Sequence, residues 1–283
     1  MQIITEPQLL QQTCLRWRAD GVNSVLVPTM GFYHAGHESL MAHARSIGEK
    51  VVVSLFVNPS QFGPGEDLES YPRDLDRDAE MAEAQGVDIL YTPRPESMYL
   101  PDHSTWIEVP SLASTMCGLT RPVHFRGVCT VVMKLLMLTL PRAAVFGQKD
   151  WQQLAIIRRM VRDLNVPVEI IGRPIVREAD GLALSSRNTY LTPDERAEAP
   201  HIHHGLALAK ALTQAGEHDP EVIKAAVRRY WNQNIPSGTE DYLTIIDPDT
   251  LVPVQRLAGP ALCAAAVNLG RARLIDNMLL LGN

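Results

Sequence analysis

His34 and His37 stand three residues apart in the string PTMGFYHAGH (28–37), behind Gly31 and directly after an apolar run. Imidazoles in that pattern suit metal ligation, hydrogen bonding to an anion, or simply a polar loop. A zinc site draws on three or four His, Cys or carboxylate ligands, and the helical metalloprotease pattern spaces its histidines four apart with a Glu between them. Here the spacing is three and the intervening residues are Ala35 and Gly36, so the metal pattern is not matched. The anion reading accounts for more of the residues. Gly31 and Gly36 let the backbone approach a bulky anion, and a helix starting near His37 directs its free N–H groups and positive dipole end to the same place. Both rings then reach one side of a bound triphosphate and stabilise charge developing during attack at phosphorus. The polar loop is the open alternative.

Three further stretches carry polar chemistry. GQKD (147–150) offers Lys149, a compact cation suited to a phosphate cluster, between Gly147 and Asp150. LSSRN (184–188) follows Leu184 with the hydroxyls of Ser185 and Ser186 and the guanidinium fork of Arg187, which suits phosphate oxygens. NPSQF (58–62) supplies the neutral amides Asn58 and Gln61, and Gln153 adds another. Taken singly, Lys149 reads as a surface lysine and LSSRN as a polar turn. HIHH (201–204) spaces His201 and His204 one helical turn apart, but no acid or Cys completes a site, so it reads as a solvated helix face. No metal-binding residue is assigned.

HAGH after an apolar run resembles the HxGH signature of the nucleotidyltransferase superfamily. The longer strings LVPTMGFYHAGH, SLFVNPSQF, YPRDLDRD, RPVHFRGVCTVV, FGQKDWQQL and DGLALSSRN, in this order over most of the chain, together resemble the pantothenate synthetase (pantoate–β-alanine ligase) family. The resemblance implies a Rossmann-like domain over residues 1–175 that binds nucleotide and pantoate, a smaller C-terminal lid domain over residues 176–283, and a cytoplasmic homodimer. It implies ATP-dependent condensation of (R)-pantoate with β-alanine: pantoate attacks the α-phosphorus of ATP to give pantoyl adenylate and pyrophosphate, then β-alanine attacks the acyl carbonyl and releases AMP.

The same resemblance implies catalytic roles for His34, His37 and Lys149. ATP contacts fall to Met30, Gly31, His34, His37, Gly147, Lys149 and Asp150, to the backbone of Val176, and to Leu184, Ser185, Ser186 and Arg187 in the counterpart of a mobile phosphate loop. Pantoate falls to Asn58, Gln61 and Gln153, with Met30 and Val131 near its gem-dimethyl carbon, and Arg121 and His124 lie nearby as support. Some relatives in the family carry two adjacent acids where this chain has Arg77 before Asp78. A protein ligand for Mg2+ is therefore in doubt there, and the ion is expected to be held mainly by the ATP phosphates.

This chemistry fits the residues. A carboxylate nucleophile is ionised at neutral pH, since such groups titrate near ~4, so the first step needs no general base. Neutral amides orient it without strongly stabilising its charge, which a cationic clamp would do at the expense of nucleophilicity. β-Alanine arrives protonated, its amine titrating near ~10, and no residue stands out as the acceptor of that proton. Two rivals stay open: an HxGH nucleotidyltransferase that activates a phosphate ester and releases only pyrophosphate, and a nucleotide-binding module that turns over nothing.

These residues need elements to position them. The 283 residues, 46% hydrophobic and 20% charged, are enough for one large or two ordinary folded domains. Short β-branched runs at 24–30, 50–58, 87–93 and 143–147 alternate with amphipathic stretches beginning near His37, Arg73, Gly127 and Asp150. Strand–helix alternation predicts an α/β fold with a doubly wound parallel sheet, its apolar strands buried on both faces. Such sheets bind ligands beyond the C-terminal ends of their strands, and the polar motifs at 28–37, 58–62 and 147–150 all leave strand ends. After residues 168–188 the texture shifts to Ala-rich helices over roughly 193–234 and then three strand-like runs, which predicts a second, smaller α+β domain with its boundary near residue 175. The net charge of −6 argues against nucleic acid and anionic membrane as partners. Cys14, Cys117, Cys129 and Cys263 lie far apart without a CxxC pair and read as reduced thiols. The longest apolar segment, VCTVVMKLLMLTL, is interrupted by Lys134 and falls short of the ~20 residues of a membrane span.

Overall fold

The computed structural model describes residues 1–281. The chain divides into two compact units. The first comprises Met1–Ser114, Gly118–Gln148 and Ile156–Pro174, and the second comprises Thr115–Cys117, Lys149–Ala155 and the chain from Ile175 onward.

The first unit is built on a six-stranded sheet, β1 (Gln2–Ile4), β2 (Ser24–Thr29), β3 (Lys50–Leu55), β4 (Ile89–Tyr91), β5 (Ala143–Gly147) and β6 (Glu169–Arg173), in the spatial order β1-β4-β3-β2-β5-β6. Every pairing is parallel. Val25–Val27 of β2 face Val51–Val53 of β3 in register. These side chains are at most 1% exposed, which is why β-branched runs without polar alternation form the centre of the sheet. From β2 the chain proceeds to β3 and β4 on one side, then returns to the other side of β2 for β5 and β6. The strand order therefore reverses between β2 and β5, the point at which open α/β sheets present a ligand crevice beyond their C-terminal edge.

The helices of the chain's first 175 residues are α1 (Pro7–Ala19), α2 (Ala35–Ile47), α3 (Leu75–Ala84), α4 (Pro95–Met98), α5 (Pro110–Ala113), α6 (Cys117–Thr120), α7 (His124–Thr139) and α8 (Trp151–Asp163). Leu40, Met41 and Ala44 of α2 recur at helical spacing and pack on the core cluster containing Val25, Val27, Val51 and Val53. Removing one such leucine would cost about 2–5 kcal/mol. α7 ends where Leu140 adopts a left-handed φ of 43° and its N–H returns to the Leu136 carbonyl.

Sequence patterning anticipated β2 to β5 but not α1, β1 or β6. The two unanticipated strands are the sheet edges: β1 has only three residues and two of them are exposed, and no residue of β6 is fully buried. An edge strand lacks the apolar signal of a strand covered on both faces.

In the second unit, α9 (Pro193–Glu198), α10 (Pro200–Gln214) and α11 (Pro220–Asn234) precede an antiparallel sheet of β7 (Gly238–Ile246), β8 (Ala261–Leu269) and β9 (Ala272–Leu281) in the order β7-β8-β9. Ile202, Leu206 and Ala209 of α10 and Ile223, Val227 and Trp231 of α11 share one core with Leu243, Ile245, Cys263, Ala265 and Val267. Gly205 permits this packing, because a Cβ there would lie 2.2 Å from the Trp231 indole nitrogen. That indole donates to the His201 carbonyl at 3.0 Å, which satisfies a polar group the core would otherwise strand. Thr192 and Glu195 close a reciprocal capping box at the start of α9.

Candidate functional site

The first polar loop leaves β2 at Thr29. Gly31 and Phe32 follow with φ of 86° and 53°, two successive left-handed residues that reverse the chain. A side chain at position 31 would meet the Asp78 carboxylate and Leu55 at 3.0 Å, so glycine is required by both conformation and space. Asp78 reaches up from α3 and is 1% exposed. Its Oδ2 accepts from the Phe32 N–H at 2.6 Å and its Oδ1 from the Tyr33 N–H at 2.7 Å. Burial pushes this carboxyl above its ordinary pKa, and the two backbone donors oppose the shift. The Arg77 guanidinium lies 5.4 Å from the centre of the Phe32 ring. Arg77 and Asp78 thus clamp the loop from below.

His34 is the N-cap of α2, in extended conformation, and its Nδ1 accepts from the Gly36 N–H at 3.1 Å. His37, in the first turn, returns the contact: its Nδ1 accepts from the His34 N–H at 3.3 Å. The ring centroids are 4.2 Å apart. An Nδ1 that accepts from a backbone N–H carries no proton, so the neutral form of each ring holds its proton on Nε2. The loop therefore presents two imidazole N–H donors where the dipole of α2 favours an anion.

The second loop leaves β3 and forms the 3-10 turn Pro59–Gln61, capped by the Asn58 side chain. Asn58 is 1% exposed. Its amide donates to Gln61 Oε1 at 3.1 Å and to the Gly127 carbonyl at 3.2 Å, while its Oδ1 accepts from Tyr99 OH at 2.8 Å and Ser60 Oγ at 2.9 Å. With its oxygen held by Asn58, Gln61 turns its NH2 outward to Met30 Sδ at 2.9 Å. Gly127 of α7 lies so near that a Cβ would fall 2.4 Å from the Ser60 carbonyl oxygen and 2.6 Å from Gln61 Cα. His124 Nδ1 lies 2.9 Å from the Gln61 carbonyl, and Arg121 bridges His124 at 3.4 Å and Glu66 at 2.5 Å. Val131, 6% exposed, sits one turn further along α7. Gly147 ends β5 with open space beside its Cα. Met30, Gly31, His34, His37, Asn58, Gln61 and Gly147 therefore all stand at the C-terminal ends of three adjacent strands, β3, β2 and β5.

The remaining expected site residues belong to the second unit. Lys149 lies in the 3-10 turn Gln148–Asp150, with Asp150 exposed beside it. Burial drives the Lys149 pKa down, the carboxylates of Asp150 and Asp276 oppose that, and Arg187 adds to it. Gln153 lies half-buried on the first turn of α8. Val176 and Leu184 close a hairpin-like loop, the Leu184 N–H donating to the Val176 carbonyl at 3.0 Å above an Arg177–Ala183 bridge. Ser185 caps the 3-10 turn Ser186–Tyr190 by accepting from the Arg187 N–H at 3.3 Å, and Ser186 is buried. Lys149 and Arg187 thus share one electrostatic neighbourhood, two cations suited to one polyanion.

A family model described as Pantoate-beta-alanine ligase matches residues 2–279. The chain belongs to this ligase family. It is 73% identical over 283 residues to a pantothenate synthetase of Nitratidesulfovibrio vulgaris, and 63% identical over 281 residues to one of Oleidesulfovibrio alaskensis, with at least 99% of each chain covered. Among solved structures it is similar to pantothenate synthetase from Thermus thermophilus, at TM-score 0.95 and 41% identity over the whole of both chains. It is also similar to the pantoate-beta-alanine ligase of Francisella tularensis, a crystal structure complexed with beta-gamma ATP and beta-alanine, at TM-score 0.80 and 31% identity, covering 99% of this chain and 98% of that one. The activity of the chain is the family's, ligation of pantoate to β-alanine.

In this ligase both Asp78 oxygens, at the place where Mg2+ ligation was in doubt, face backbone N–H groups of the histidine loop. Among the described residues no group of three or more His, Cys, Asp or Glu side chains could hold a metal ion, HIHH included. His201 instead pairs with Tyr230 OH at 2.7 Å. Sequence reasoning missed Asp78 as the loop's clamp and Tyr99 as the anchor of Asn58. A hint existed for Asp78, an acid at the position of α3 that the apolar pattern assigns to the buried face. Tyr99, 41 residues from Asn58, left none.

Proposed function

We propose that the ligase forms pantoyl adenylate on its HxGH loop, with His34 and His37 donating from Nε2 to ATP phosphate oxygens as charge develops in the first step. The paired Nδ1 caps carry this reading, because they fix both rings in the donor tautomer at the point where the strand order reverses. Lys149 and Arg187 grip the phosphates that leave as pyrophosphate, with Ser185 and Ser186 as hydroxyl donors and Gly31, Gly147 and Asp150 beside the nucleotide. The backbone of Val176 and Leu184 meets the adenine side. Asn58, Gln61 and Gln153 orient pantoate with neutral amides, leaving its carboxylate nucleophilic, and Met30 and Val131 receive the gem-dimethyl carbon. ATP enters as substrate with Mg2+ on its phosphates, and no step is routed through a protein-bound metal. The working form is a cytoplasmic homodimer.

Product analysis tests this reading. With ATP, pantoate and β-alanine together, AMP, pyrophosphate and pantothenate form in equal amounts. With β-alanine omitted, AMP release stops while adenylate and pyrophosphate accumulate to one equivalent per site. Continuous AMP-free release of pyrophosphate with a phosphate-ester acceptor would instead favour nucleotidyl transfer.

A further inference from the structure

Both cationic elements assigned to ATP lead back to two adjacent residues of the final strand. Asn277 of β9 donates from its side-chain amide to the main-chain carbonyl of Lys149 at 2.9 Å. Asp276 beside it is 4% exposed and takes a two-pronged ion pair from Arg177, at 2.7 and 2.9 Å. Its Oδ1 also accepts from the Asn277 N–H at 2.7 Å. Arg177 in turn donates to the Gly181 carbonyl at 3.1 Å and forms the bridge to Ala183. The Ala183 carbonyl accepts from Asn188 at 3.2 Å, inside the turn that carries Ser186 and Arg187. Hydrogen bonds therefore lead from the Lys149 backbone through Asn277 and Asp276 to Arg177, which is paired with Ala183 by the flanking Glu178-to-Leu182 and Leu184-to-Val176 backbone bonds, and Ala183 in turn holds Asn188 of the arginine turn. The loop is seated closely: Gly181 has φ 94°, and a Cβ there would meet the His203 ring at 2.7 Å.

We propose that Asp276 and Asn277 are positioning residues for adenylation, holding Lys149 and the Ser185–Arg187 turn as one preorganised grip on the phosphates. A two-pronged carboxylate–guanidinium pair with a buried carboxylate gives fixed geometry, and charge stabilisation at phosphorus depends on donors being placed before the reaction begins. Neither residue touches substrate in this account, which rests on the roles proposed above for Lys149 and Arg187.

Asp276 has a second effect that Asn277 lacks. Lys149 is surrounded by Asp150, Arg187 and Asp276, and Asp276 itself faces Arg177 and the His203 ring, whose Nδ1 lies 3.8 Å away. Burial favours neutral His203. Loss of the Asp276 charge removes support for the Lys149 ammonium, so Lys149 would lose its proton at lower pH.

The test measures two half-reactions in the full-length ligase: pantoate-dependent exchange of pyrophosphate into ATP, and attack of β-alanine on supplied pantoyl adenylate. Asp276→Asn and Asn277→Ala should each slow exchange by about 10- to 100-fold and leave the second half-reaction unchanged. The alkaline limb of exchange should move to lower pH in Asp276→Asn alone. Arg228→Ala, which breaks an ion pair with Glu240 elsewhere in the same unit, serves as the control for stability. Parent-like exchange in Asn277→Ala and Asp276→Asn, with Lys149→Ala inactive, overturns the inference alone. Equal losses in both half-reactions that track stability as in Arg228→Ala also overturn it. Undiminished exchange in Lys149→Ala would instead defeat the underlying assignment.

Discussion

His34 and His37 cap the same helix reciprocally: each ring accepts at Nδ1 a backbone N–H of the loop, His34 from Gly36 and His37 from His34. A feature that initiates α2 thereby also sets the chemistry of the loop, since the fold decides which ring nitrogen carries the proton. Nitrogen-15 correlation spectra at neutral pH should report pyridine-type Nδ1 and protonated Nε2 for both residues. Protonated Nδ1 in either ring would remove the donor from the place the mechanism needs it.

Replacing these rings should separate catalysis from folding. His37→Ala removes the proposed donor to developing charge and should lower the rate of adenylation by about 10²- to 10³-fold. His34→Ala also loses the N-cap, at about 1 kcal/mol of stability. Pyrophosphate exchange and urea unfolding on the same preparations check both figures, and a stability loss large enough to explain the rate would reverse the interpretation.

Gly127→Ala tests the cradle beneath Gln61. The added methyl would collide with the Ser60 carbonyl and Gln61 Cα at 2.4 and 2.6 Å. Overpacking of this kind costs about 1–3 kcal/mol. Displacement of Gln61 should raise KM for pantoate more than KM for ATP, as steady-state kinetics would reveal.

Asp88 governs part of the acid stability. Burial alone would raise its pKa, but the Lys50 ammonium at 2.7 Å, the Val51 N–H at 2.9 Å and Arg45 at 2.9 Å outweigh it and leave the pKa lowered. A depressed folded-state pKa gives stability that is present above the unfolded value, near ~3.9, and is lost as pH falls through the folded value. Asp88→Asn should therefore flatten the fall in unfolding free energy below about pH 4 and cost about 1–2 kcal/mol at neutral pH. Unfolding curves from pH 2 to 7 provide the comparison.

The cysteines should be chemically silent in the native protein. All four are buried and unpaired in disulfides, and burial pushes the thiols of Cys14, Cys129 and Cys263 up to about 12. A thiol reagent at pH 8 should label none before unfolding and four after it. Rapid native labelling would mean that these cores open readily.

What the sequence disclosed follows from how locally each feature is encoded. Val25–Val27 and Val51–Val53 announce buried strands in a few letters, and the Gly-flanked histidines announce a helix start. β1 and β6 lie at exposed edges where that signal fades. The supports of the site are long-range: Asp78 meets residues 45 and 46 positions earlier, and Asn277 meets Lys149 across 128. No local spacing rule reports a hydrogen bond between such distant positions. The resemblance to relatives named groups expected to touch substrates, whereas the groups that hold them became visible only once the chain was folded.

Pantoate-dependent exchange of labelled pyrophosphate into ATP, measured without β-alanine in the parent chain and in His37→Ala and Lys149→Ala, tests the account at its centre. Rapid exchange in the parent and at least about 10²-fold less in both variants is the predicted result. Exchange absent from a parent preparation that still makes pantothenate, or undiminished in either variant, would contradict it.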